Sequence, residues 1–232
     1  MQLEITKECA DSLRSFTQNK FGIQLKSSHA HEFVAAYFGY SSRAALLADT
    51  KCPISNLREA EFIVLTPTAL IKERCKDLHG LPENLPHELV EGVYSPLYQG
   101  KLIRHKVWPT FDYLALTLAD ESLNSKPIQS LYLNPIFSGA RKVQREGVKV
   151  YYNNDGVDLM VFREYVVPSL LLSGQKARRG VVDVFELKRV AGYIGYVKTL
   201  HYSTEAETLD AAIAQIENDH QQLHRRYAHE TY

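Results

Sequence analysis

From residue 148 to residue 202 the chain alternates short runs of β-branched and aromatic residues with turn signals. That pattern points to an antiparallel meander. Val148 to Tyr152 reads as a strand, and Asn153-Asn154-Asp155-Gly156 follows it. Asn, Asp and Gly tolerate the positive φ that a tight hairpin turn requires. Val157 to Val167 is the return strand, ended by Pro168. Ser173 to Gly180 reads as a polar loop and Val181 to Val190 as a third strand. Ala191-Gly192 turns the chain into a fourth, Tyr193 to Tyr202. Thr204-x-x-Glu207 has the form of a capping box. It opens a helix in which Ala206, Leu209, Ile213, Ile216, His220, Leu223 and Tyr227 recur in steps of three and four. Such a stripe either covers a sheet face or pairs with another copy.

The first half reads as helices. Ala10, Leu13 and Phe16 repeat at helical spacing over residues 6–20, and Gly22 follows. Ser27-Ser28 offers an N-cap for a helix carrying Ala30, Phe33, Val34, Tyr37 and Phe38. Gly39 stands where a left-handed residue ends a helix. Ser41-Ser42 caps a short successor, Ala44 to Ala48. Thr66-Pro67 opens a helix that runs to about Leu78, with Pro at the tolerated first position. Leu81 to Pro96 reads as loop, short helix, loop, and Phe111 to Leu118 as helical or buried. The expected class is α+β, with a helical N-terminal half and a C-terminal antiparallel meander followed by a long helix. The segments are 1–56, a small helical module; 57–124, a mixed helical connector; and 125–232, the sheet with its helix.

At 232 residues the chain is long enough to bury a core without disulfides or a structural metal. Cys9, Cys52 and Cys75 are odd in number and form no CxxC. They read as reduced thiols in a cytoplasmic protein. No run approaches the ~18 apolar residues of a membrane span, and no secretory signal is visible.

The formal net charge is zero, which argues against a wholly basic nucleic-acid binder. The zero hides an asymmetry. Residues 141–198 hold 11 basic and 6 acidic side chains, whereas residues 199–232 hold 2 and 6. The candidate nucleic-acid contacts are Arg141, Lys142, Arg145 and Lys149, with Lys176, Arg178 and Arg179 at an expected hairpin tip. Arg and Lys neutralise phosphates. Tyr151, Tyr152, Tyr193 and Tyr196 could supply stacking faces, or could simply be half-buried strand residues.

Other chemistry has thinner signals. Asp158 with Glu186-x-Lys188 resembles the D…ExK arrangement of metal-dependent nucleases, in which two carboxylates hold a cation beside a lysine. Cys75 and His79 are one helical turn apart, as a nucleophile and base could be. Glu217, His220 and His224 share a helix face. His29 and His31 diverge around their helix and cannot share a metal. Each of these patterns also suits an ordinary polar surface. No GxGxxG, Walker A, GxSxG or HExxH occurs.

Ser27 to Asp49 is an Ala-rich amphipathic helix, a Gly-Tyr turn and an Ala-Leu-Leu-Ala helix. It is similar to the N-terminal region of glyoxalase-related proteins and of proteins of plasmids and integrative elements. Residues 66–90 resemble the continuation in mobile-element proteins. The matched residues include no catalytic group, and the glyoxalase metal fold has no counterpart downstream, so that activity is not implied. Gly192-Tyr-Ile-Gly-Tyr-Val-Lys through Ile216 resembles HicB-like antitoxin sheets. There a Gly-Tyr strand precedes a Thr-Leu-x-x-Ala helix. Thr199-Leu-His-Tyr replaces that family's Pro-Gly turn, and the likeness implies a fold rather than a function.

The leading expectation is a non-enzymatic accessory protein of a bacterial mobile element or phage-related locus. It would bind DNA or RNA through the basic surface, with no cofactor, no metal and no membrane. Two alternatives stay open. One is a protein-binding module, an inhibitor or defence-system component, that could form homo-oligomers through the terminal helix. The other is a divalent-metal-dependent nuclease.

Overall fold

A computed structural model describes residues 2–86, 88–103, 107–123, 141–167 and 177–206, together with 210, 211 and 214. Helices fill the N-terminal half: α1 (Gln2–Phe21), α2 (Ser27–Tyr37), α3 (Arg43–Ala48), α4 (Thr68–Lys76), α5 (Val90–Gln99) and α6 (Phe111–Leu123). A 3₁₀ turn spans Ile54–Arg58, and two short strands, β1 (Phe62–Val64) and β2 (Val107–Trp108), interrupt the series. The long strands follow: β3 (Arg141–Tyr152), β4 (Gly156–Val167), β5 (Ala177–Ala191) and β6 (Gly195–Ala206). The class is α+β, as the sequence implied.

The six strands stand in the order β2-β1-β6-β5-β4-β3. The meander is therefore present but is not the whole sheet. β1 runs antiparallel to β6, with Ile63 opposite Gly195, and parallel to β2, with Ile63 opposite Val107. These strands of three and two residues are too short to show a period of two.

Contacts divide the chain into two compact units. The first comprises residues 1–114, 152–157 and 187–199, and the second 115–151, 158–186 and 200–232. In the first, α1, α2 and α5 share a core built around Leu13, Phe33, Phe38 and Tyr94. Gly92 makes the closeness of α1 and α5 possible, because a Cβ there would lie 2.8 Å from the Phe16 ring. The Tyr94 hydroxyl donates to Tyr37 O at 2.7 Å, and the Tyr37 hydroxyl accepts from Leu89 N at 2.8 Å, so both phenols are satisfied inside the core.

The turn after α2 receives the β5–β6 hairpin, also within the first unit. Gly39 has φ of 88°, and a Cβ there would fall 2.4 Å from Tyr193 Cβ. Only glycine meets both conditions. Tyr193 N donates to Phe38 O at 3.0 Å, and Gly192 N donates to Cys52 O at 2.8 Å. Ser42 caps α3 by accepting from Ala45 N at 3.1 Å.

Several local expectations change. The cap of α2 is Lys26, with no side-chain hydrogen bond, and Ser27-Ser28 lie inside the helix. Pro67 is the residue before α4 rather than its first member. α5 continues through Pro96 to Gln99. Proline removes only one ladder donor there, and the burial of Val93, Tyr94 and Leu97 holds the helix. β5 begins at Ala177, inside the expected loop, and β6 reaches Ala206. Thr204 is thus a strand residue rather than a helix cap. Helical backbone occurs at Asp210, Ala211 and Ala214. The remaining stripe residues, Leu209, Ile213, Ile216, His220, Leu223 and Tyr227, lie outside the described residues, as do Glu217 and His224.

Candidate nucleic-acid interface

The second unit carries the cations singled out from the sequence. Among the described residues β3 is an edge strand of the sheet. Side chains alternate faces along a strand, so Arg141, Arg145 and Lys149 share one face and Lys142 takes the other. All four are exposed. Arg145 Nη1 lies 4.0 Å from Glu164 Oε2 on β4, and Arg178 Nη1 on β5 lies 3.4 Å from Glu164 Oε1. Both guanidiniums meet the same carboxylate, which places Arg178 on the face of Arg145. Lys142 instead pairs with Glu146. Arg141 and Lys149 make no ion pair with another described residue.

The expected hairpin tip is therefore corrected. Arg178 and Arg179 are consecutive strand residues and project from opposite faces. Both are exposed strand residues rather than loop residues, and Arg178 alone pairs across to Glu164. Lys176 lies outside the described residues. Of the seven expected contacts, Arg141, Arg145, Lys149 and Arg178 come together on one face, while Lys142 and Arg179 do not join them.

An apolar cluster lies on the same strands. Met160, Phe162, Val182 and Val184 are buried, and Tyr151 packs against them half-buried. Tyr151 is therefore partly committed to the core. In the first unit Tyr196 is buried, its hydroxyl donating to Tyr193 O at 2.9 Å, while Tyr152 and Tyr193 are exposed.

Sequence reading missed a buried polar cluster in the second unit. Asp183, on β5, is fully buried. Its Oδ1 accepts from the Ser203 hydroxyl at 2.5 Å and lies 3.3 Å from His201 Nε2. The His201 ring stacks on Phe185 with centroids 4.4 Å apart. The three residue types are those of a hydrolytic triad, but their order differs. A triad places the imidazole between carboxylate and hydroxyl. Here the serine hydroxyl donates its hydrogen bond directly to the carboxylate, so the set anchors β5 to β6 instead of activating a nucleophile. On β4, Arg163 is fully buried and pairs with Asp120 Oδ1 at 2.9 Å, donating also to Leu116 O at 3.3 Å. The available signal was an acid inside the apolar run Val181-Val-Asp-Val-Phe185 and an arginine inside Val161-Phe-Arg.

The remaining chemical candidates separate as follows. Asp158 is buried, Glu186 half-buried and Lys188 exposed, and neither acid is without a partner in the protein. Among the described residues no group of three or more His, Cys, Asp or Glu side chains is placed to hold a metal ion. Cys75 is buried, and burial pushes its thiol up to about 11, the reverse of an activated nucleophile. Cys9 is pushed up to about 12, by burial first and then by Glu8. All three cysteines are buried and unpaired with one another. No helix among the described residues is long and apolar enough to cross a membrane.

The chain matches no protein-family model, no curated protein and no solved structure.

Proposed function

We propose that this protein binds nucleic acid through the β3–β5 face bearing Arg141, Arg145, Lys149 and Arg178. The gathering of these four exposed cations on one strand surface carries the reading. Arg141 to Lys149 spans eight residue steps, or roughly 27 Å at ~3.4 Å per residue. A duplex advances ~3.4 Å per base pair, so the row covers about eight pairs. Contacts of this kind go to the backbone and do not read sequence. The protein is then a non-enzymatic accessory factor, and the resemblance of Ser27–Asp49 to proteins of plasmids and integrative elements supports a mobile-element setting.

The test is the salt dependence of binding to fluorescein-labelled DNA duplex, single-stranded DNA and single-stranded RNA. Four phosphate contacts give a slope of log K against log salt of about −3.6 on duplex and about −2.8 on a single strand. Absence of binding to all three probes at 50 mM salt, on the order of the low end of such titrations, refutes the proposal. Recovery of a protein from a nuclease-treated pull-down, with no binding to the probes, would favour the protein-binding alternative.

A further inference from the structure

Within the cationic face, Glu164 is out of keeping with its neighbours. Its side chain is 10% exposed, whereas Arg178 and Arg145, the two guanidiniums that meet it, are 67% and 77% exposed. Its Oε2 makes no hydrogen bond with a described residue. The carboxylate therefore lies beneath two exposed cations, on a strand whose neighbouring residues Arg163 and Tyr165 are buried.

We infer that Glu164 is a fixed counter-charge that competes with incoming phosphates for Arg145 and Arg178, and so sets how tightly the face holds nucleic acid. This rests on the nucleic-acid reading above. Exposed ion pairs are marginal, because water and salt screen them and the long side chains resist being held. Both arginines can thus turn from Glu164 to a phosphate at little cost. The carboxylate cannot follow them or leave, since its strand and its burial hold it in place. Every phosphate seated over Arg145 and Arg178 then lies near a stationary negative charge. The resulting penalty falls equally on all sequences, so Glu164 lowers affinity without altering preference.

The experiment compares the wild-type chain with Glu164→Gln, Glu164→Ala and Glu146→Gln, on the three labelled probes, with melting curves for each variant. Glu146 pairs with Lys142 on the opposite strand face and serves as the control. Glu164→Gln should bind every probe about fivefold tighter, equivalent to about 1 kcal/mol, and Glu146→Gln should bind as the wild type does. A folded Glu164→Gln that binds no tighter, or more weakly, overturns the inference and makes Glu164 a residue that positions the arginines. Loss of fold in both Glu164 variants overturns it as well, since the carboxylate is then a structural requirement. If neither the wild type nor any variant binds a probe, the nucleic-acid reading itself has failed. That outcome is distinct from wild-type binding that the substitution leaves unchanged.

Discussion

Arg189 and Asp49 meet with Nη1 3.4 Å from Oδ2, both side chains largely buried, and so tie the end of β5 to the segment after α3. Asp49 serves more than this pair. Its Oδ2 accepts from the Tyr40 hydroxyl at 2.6 Å, and its Oδ1 accepts from Cys52 N at 3.0 Å and Lys51 N at 3.1 Å. Arg189 also stacks on Tyr193, with Cζ 4.2 Å from the ring centroid. Removing one partner strands the other without compensation. Asp49→Asn should cost about 2 kcal/mol and Arg189→Met a similar amount, while the double variant should lose less than the sum. Urea denaturation of the four chains checks this. Simple additivity would deny the coupling.

The same carboxylate has a pH signature. Burial alone would raise its pKa. Hydrogen bonds from Tyr40 and Cys52, the Arg189 charge and the bond from Lys51 outweigh burial and hold it below its ordinary value of 3.8. A folded value below the unfolded one gives stability that is present above 3.8 and lost as pH falls through the lowered native value. Asp49→Asn should therefore flatten the acid limb of stability against pH below that point. An unchanged acid limb would contradict the assignment.

Gly39→Ala should destabilise the protein by about 2 kcal/mol or more, because it combines a disfavoured positive φ with a side-chain clash. Gly22 has φ of 70° but nothing within 4 Å of a built Cβ. Gly22→Ala should cost about 1 kcal/mol, the conformational part alone. Thermal melts of the two variants separate steric from backbone strain.

Neutralising Arg145 and Arg178 together, each to Gln, should reduce the salt slope on duplex by about 1.8, or ~0.9 per contact. Arg179→Gln, on the opposite strand face, should leave the slope alone. Equal effects at Arg178 and Arg179 would show that strand alternation does not organise the contacts.

Asp183→Ala should lose about 3 kcal/mol, since Ser203 and His201 then lack their acceptor and a polar void opens in the core. Arg163→Met should cost less than Arg163→Ala, because Met keeps much of the volume. Both variants forfeit the Nη2 bonds to Asp120 and Leu116 O alike, so the retained volume separates them. Denaturant midpoints rank the three variants.

The legible parts of this fold are those governed by local chemistry. Asn153-Asn154-Asp155-Gly156 announced its hairpin, although no residue there takes the positive φ expected of it; Gly156 is required instead because a Cβ would lie 1.9 Å from Leu187 O. The spacing of Phe33, Val34 and Tyr37 announced α2. What escaped notice depended on partners distant in sequence. β1 exists because β6 lies alongside it, and β2 because β1 does. Arg178 is a strand residue because β5 pairs with β4 over this stretch. Asp183 drew no reading, because alternation carries no hint that β5 is buried on both sides, as Val182, Asp183, Val184 and Phe185 all are. The charge excess of residues 141–198 was visible, but its division between two strand faces required the true start of β5.

The position of β3 has one more result. A twelve-residue border strand would ordinarily invite a neighbour to add itself, copy after copy, into a growing fibre. Its like charges make two such borders repel. Substitutions that strip them should trade away colloidal behaviour along with ligand, and turbidity in dilute salt would record that exchange.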